Sequence, residues 1–134
     1  DTITTDATIL PFRDNLFDYG ISIAVIHHIS TLERRIEFIR EISRVLNIGG
    51  KCMISTWIPP KKKQDGNEAD QLITWTFRHN WTESGKDEIV HRYVHIFEMG
   101  ELEGLVNYVD GLRVIRSMYS RSNYYMIVEK YSTF

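Results

Sequence analysis

The chain has 134 residues, 43% of them apolar and 25% charged, which fits one ordinary globular domain and excludes a disordered or low-complexity chain. Sixteen Lys and Arg against eighteen Asp and Glu give a net charge of −2, so a domain-wide electrostatic grip on nucleic acid is not indicated, although a local basic patch can still act. The single Cys52 excludes an internal disulfide and a cysteine zinc cluster, and no run approaches the roughly 20 apolar residues of a membrane-spanning helix.

The chain opens at Asp1, without a starting Met, in what reads as the end of a strand, which suggests a piece of a longer protein. The stretch from Asp1 to Asp6 has neither the basic region nor the apolar run of a secretory signal, so a cytoplasmic or nuclear location is expected. The cluster Ile9-Leu10-Pro11-Phe12 is followed by turn chemistry at Arg13-Asp14-Asn15. The run Tyr19-Gly20-Ile21-Ser22-Ile23-Ala24-Val25-Ile26 is short, apolar and rich in β-branched residues, and reads as a buried central strand covered on both faces.

Ser30 stands three residues before Glu33, a capping-box pattern that opens a helix. Leu32, Ile36, Ile39, Ile42, Val45 and Leu46 recur at helical steps, and Gly49-Gly50 provides a stop. Lys51 to Ile58 reads as a second strand. Strand, helix and strand with short connections make a βαβ unit with parallel strands.

Pro59 and Pro60 open a charged stretch containing Lys61-Lys62-Lys63, so residues 59–70 read as a flexible loop. Residues 68–97 are the hardest to read: they carry Trp75, Phe77, Trp81, Tyr93 and Phe97, too many aromatics for a plain linker. Met99 to Val109 reads as a short amphipathic helix with Leu102, Leu105, Val106 and Val109 on one side. Leu112–Tyr119 and Tyr124–Tyr131 read as antiparallel neighbours joined by a tight turn. The class is therefore α/β, a parallel sheet ending in a C-terminal antiparallel hairpin, within one domain over 1–134.

Two blocks carry a resemblance. Leu10 to Asn15, Phe17-Asp18 and Ile21 to His28, followed by Glu33 to Gly50, look like the middle of a Rossmann-like class I S-adenosylmethionine (SAM) methyltransferase. Arg92-Tyr93-Val94-His95-Ile96-Phe97 with Gly100-Glu101-Leu102 resembles a signature of the tRNA wobble-uridine carboxymethyl methyltransferases, including the methyltransferase domain of the AlkB-homologue tRNA modification protein. This chain departs at Val94, where that family tends to have an aromatic, and at Ile48, where it often has Pro. These 134 residues also hold no strand followed by a glycine-rich cofactor turn, so the resemblance implies that the N-terminal half of the sheet is missing from them.

The resemblance implies SAM-dependent methylation of the carboxylate of 5-carboxymethyluridine at the tRNA wobble position, giving the methyl ester. It places Asp6 and Ala7 against the adenine of SAM, and Ile23 and Ala24 against its methionine portion. By residue type alone Asp6 reads as a turn or cap, and Ile23 and Ala24 as core. His27 reads as a substrate contact or a hydrogen-bonded structural group. Adjacent histidines on a strand diverge and make a poor chelate, and no metal site is expected. Arg92, Tyr93 and His95 are the substrate-orienting candidates: Arg92 can grip an anion bidentately, and Tyr93 or His95 can stack on or orient a base. On a strand Arg92 and Val94 share one face, and Tyr93 and His95 the other.

The Lys61-Lys62-Lys63 run reads as a solvated loop or a tRNA phosphate contact. The implied partners are the tRNA anticodon loop and a small zinc-binding activator subunit. Two rival readings remain open at this level. One is a catalytically incomplete RNA- or protein-binding module. The other is a methyltransferase for a small acid or another substrate. Upstream sequence with a glycine-rich turn would separate enzyme from module.

Overall fold

The computed structural model describes residues 2–59 and 69–133. Strand β1 (Phe17–Ile23) leads through a 3₁₀ turn at Ile26–His28 into helix α1 (Leu32–Val45) and strand β2 (Leu46–Trp57). Strands β3 (Asp70–Phe77) and β4 (Glu88–His95) precede helix α2 (Glu101–Asn107), and β5 (Leu112–Ser120) and β6 (Asn123–Lys130) close the chain. The main sheet has the order β1-β2-β6-β5, with β1 and β2 parallel and β6 antiparallel to both of its neighbours. β3 and β4 form a separate two-stranded antiparallel sheet.

The expected βαβ unit and the terminal hairpin are both present. In the hairpin β6 inserts between β2 and β5, and the two residues of its turn, Arg121 and Ser122, both have positive φ. That backbone matches the twist of the strands it joins. α1 and α2 share one core with this sheet. Phe38, Ile39 and Ile42 from α1 and Leu102, Leu105 and Val106 from α2 are buried with Ile54, Met126 and Val128.

Three local expectations are corrected. The helix cap is Thr31, whose side chain accepts from the Arg34 amide at 3.4 Å, and not Ser30. The buried stripe of α1 turns toward Arg35 and Phe38, leaving Leu32 half exposed. The helix also ends at Val45, before Gly49-Gly50; those glycines lie inside β2, where its register with β1 breaks between Phe17 and Tyr19. A Cβ on Gly50 would sit 2.8 Å from the Asn47 carbonyl oxygen and 3.0 Å from that of Phe17, so the bulge itself selects glycine.

The expectation of a central strand covered on both faces is corrected too. The strand stops at Ile23, and among the described residues β1 forms the edge of the sheet. Tyr19, Ile21 and Ile23 are 79%, 74% and 56% exposed. Both helices pack on the opposite face, toward which Gly20 points with room only for the Cys52 sulfur, 3.3 Å from where its Cβ would be.

Candidate functional site

β1 and β2 run parallel, so the turn leaving β1 carries its side chains to the carboxyl edge of the sheet, where open α/β sheets place ligands. Ala24 takes a positive φ of 58° there, and its amide donates to the Ser55 hydroxyl at 3.1 Å. That bend throws Ile26, His27 and His28 into a 3₁₀ turn instead of continuing the strand. The two imidazoles consequently lie side by side, ring centroids 4.3 Å apart, and do not diverge as they would on a strand.

The histidines have different partners. His27 is buried, and its Nδ1 accepts from the Trp57 amide at 3.3 Å and lies 3.2 Å from the Thr56 hydroxyl. An accepting Nδ1 leaves the proton on Nε2 and the ring neutral. Burial, then the neighbouring His28 and Arg92, push its pKa down to about 4. His28 Nδ1 donates to the Tyr93 carbonyl at 2.8 Å, and its Nε2 accepts from Arg92 Nη2 at 2.7 Å.

β4 supplies the other side of the site. Strand alternation holds as expected. Arg92 faces Trp75, with its guanidinium carbon 5.1 Å from the ring centroid. Tyr93 and His95 point to the other face, where both reach Asp70. Among the described residues Arg92 has no carboxylate partner. It is held by an imidazole and an aromatic ring, and neither neutralises it.

His95 has no free ring nitrogen. Nδ1 lies 2.8 Å from Asp70 and Nε2 2.6 Å from Glu101, both carboxylates, so the ring donates twice and is a cation. Burial opposes that charge, but the Glu101 and Asp70 hydrogen bonds outweigh it and raise the pKa. Tyr93 donates its hydroxyl proton to Asp70 and accepts from Arg35 Nη1 at 3.3 Å. Arg35 is itself buried, also donates to the Ile29 carbonyl at 3.0 Å, and has an Nε with no partner. Sequence reading missed Arg35, Asp70 and Trp75, because their roles depend on partners far along the chain, and gave Glu101 no role, although its partner His95 is only six residues away.

The residues expected to meet a cofactor fall as follows. Asp6 accepts from the Thr8 amide at 2.8 Å and hydroxyl at 2.7 Å, and pairs with Arg34 at 3.1 Å. These contacts, the Thr8 amide foremost, hold its carboxyl below the usual range. This is a turn aspartate in its local bonding, and its side chain remains half exposed. Ala7 and Ile23 line one concavity of about 400 Å³ together with Leu10, Ser22 and Val25. Ser22 Oγ is buried beside it with no hydrogen-bond partner. An apolar wall with one orphaned hydroxyl fits one flank of a nucleoside-containing cofactor such as SAM. The Lys61-Lys62-Lys63 run lies outside the described residues.

The sheet order, the βαβ unit and the inserted last strand together define a class I SAM-dependent methyltransferase fold. A SAM-dependent methyltransferase of known structure from Clostridium acetobutylicum superimposes with a TM-score of 0.74 at 13% identity, over 97% of this chain and 64% of that one. A methyltransferase-domain family profile matches residues 1–54. The chain is 30% identical over 146 residues to a tRNA (carboxymethyluridine(34)-5-O)-methyltransferase of Schizosaccharomyces pombe, covering 96% of this chain and 63% of that protein. It is 29% identical to the Xenopus tropicalis alkbh8 protein of the same name, over 97% of this chain and 29% of that one. The chain is similar to these tRNA carboxymethyluridine methyltransferases, and spans less than two-thirds of the length of either relative.

Proposed function

We propose that this chain forms part of a SAM-dependent methyltransferase that esterifies the carboxylate of 5-carboxymethyluridine at the tRNA wobble position. The observation that carries the reading is the state of Arg92. It is clamped by His28 and Trp75 at the ligand edge of the sheet, with no anionic partner among the described residues. A fixed, unneutralised guanidinium suits the recognition of a carboxylate.

The acceptor carboxylate has a pKa near ~4 by analogy with Asp and Glu, so it is ionised at neutral pH and needs no general base. His27, neutral with Nδ1 already accepting, is then free of any proton-transfer duty. Bound SAM supplies the electrophilic methyl group. Asp6, Ala7, Ile23 and Ala24 would hold it, with Ala7 and Ile23 forming the apolar flank. The work left to the protein is orientation and exclusion of water. Arg92 is expected to hold one carboxylate oxygen and leave the other to react. Tyr93 and His95, tied to Asp70, Arg35 and Glu101, support the strand that carries Arg92. The anticodon loop of tRNA and a small zinc-binding activator subunit are the partners in this reading, in the cytoplasm or nucleus.

The second reading is an RNA- or protein-binding module. Calorimetric titration of SAM into the chain and into the full-length protein separates the two. Methyl-ester formation on carboxymethyluridine tRNA, read by nucleoside mass spectrometry, tests the reaction. Binding and ester formation by the full-length protein support the enzyme. SAM binding by neither form would leave the module.

A further inference from the structure

Two of the three tryptophans of the chain, Trp75 and Trp81, lie in the β3–β4 hairpin, and both are exposed. Trp81, in the 3₁₀ turn His79–Trp81, is 83% exposed, while Trp75 and Phe77 are 47% and 44% exposed. Large aromatics this open are unusual on a folded surface and mark contact sites. Their arrangement is ordered. In the β3–β4 register Ile73 opposes Arg92, Trp75 opposes Val90 and Phe77 opposes Glu88. Cross-strand partners share a face, so Arg92, Trp75 and Phe77 lie on one side of the hairpin. Trp75 and Phe77 are two residues apart, a step of roughly 6.6–6.8 Å along the strand.

We infer that this face is a stacking platform for unpaired RNA bases next to the nucleotide held by Arg92. The inference rests on the tRNA reading above and names how the loop is held. The face is continuous with the candidate site, because Arg92 stands on the Trp75 ring. Unstacked bases bind aromatic side chains without needing sequence-specific hydrogen bonds. The charge pattern agrees with stacking rather than a cationic groove. Arg78 and His79 are both drawn to Asp87, at 3.2 and 3.3 Å, and Glu88 faces the same side as Phe77. Apart from Arg92 and Lys86, little phosphate attraction is therefore available on this hairpin.

The test uses the full-length protein and a fluorescently labelled anticodon stem-loop RNA, with affinity read by anisotropy across a salt series. Trp75→Ala, Phe77→Leu and Trp81→Ala are each expected to weaken binding by about fivefold or more. The slope of log affinity against log salt should stay unchanged, since no phosphate contact is lost. SAM affinity measured by calorimetry serves as the folding control, and Trp81→Ala removes a side chain with almost no packing to lose. Wild-type binding with equal affinity in all three variants would overturn the platform and leave the tRNA reading standing. A change in salt slope without the stacking loss would also overturn it. No binding of the stem-loop by the wild type would overturn the platform and the tRNA reading together.

Discussion

Arg92 donates a hydrogen bond to Nε2 of His28 across 2.7 Å, so a cation depends on the lone pair of a neutral imidazole. The other nitrogen of that ring donates to the Tyr93 carbonyl at 2.8 Å. One side chain from the turn after β1 thus holds two successive residues of β4. This is how the carboxyl edge of the main sheet and the β3–β4 hairpin become one site.

Removing Arg92 should cost the proposed reaction more than removing charge alone. Hydrogen bonds to charged groups contribute roughly 1.5–3 kcal/mol, so Arg92→Ala should lower kcat/KM about 10- to 100-fold. Arg92→Lys keeps the charge but loses the fork, and should recover only part of it. If His28 acts through Arg92, His28→Ala should add little further loss in the Arg92→Ala background. Steady-state kinetics on carboxymethyluridine tRNA give the cycle, and fully additive losses would sink the clamp.

His27 should make the fold sensitive to mild acid. Its folded-state pKa of about 4 lies below the ordinary value of 6.5, so the unfolded chain binds the extra proton first. Stability from this site is complete above about pH 6.5 and falls as pH drops toward 4. The loss should reach roughly 1–3 kcal/mol. Thermal melts from neutral pH to pH 4.5 should show this slope, and His27→Gln should flatten it. An unchanged slope in the variant would assign the effect elsewhere.

His95 should show the opposite sign. Its pKa is raised, so its contribution is full below 6.5 and is lost as pH rises through the folded-state value. Long-range proton–nitrogen NMR spectra of the imidazoles offer a direct check. On the acid side of that value, and above the value of about 4 for His27, His95 should carry protons on both nitrogens and His27 on Nε2 alone. A neutral His95 under those conditions would contradict the double carboxylate clasp.

The β1 edge should govern self-association of the 134-residue chain. Tyr19, Ile21 and Ile23 expose apolar surface along an edge strand, an open template for pairing. Sedimentation velocity should show concentration-dependent association. Ile21→Lys, at a residue 74% exposed, should suppress it with a stability change within about 0.5 kcal/mol. A wild-type chain that stays monomeric at every concentration would refute this.

Local patterns in the chain were enough for the βαβ unit, the buried face of α2 and the closing hairpin. Each is encoded by neighbours: helical spacing in Leu102, Leu105 and Val106, and a four-residue link between two β-rich runs. Alternation on a strand likewise sufficed to part Arg92 from Tyr93 and His95. The β3 strand escaped notice although Ile73-Thr74-Trp75-Thr76-Phe77 alternates strictly, because Leu72 breaks the pattern at its start and Trp75 and Phe77 stay half exposed. The start of α1 shifted by one residue because Thr31, like Ser30, carries a hydroxyl able to cap, and it is Thr31 that accepts from the Arg34 amide. The site itself came from tertiary structure. His28 and Arg92 stand 64 residues apart, and Asp70 and His95 25 apart. Only the docking of the hairpin on the turn after β1 makes a neutral acceptor of one histidine and a doubly paired cation of the other, since protonation follows partners and partners follow packing.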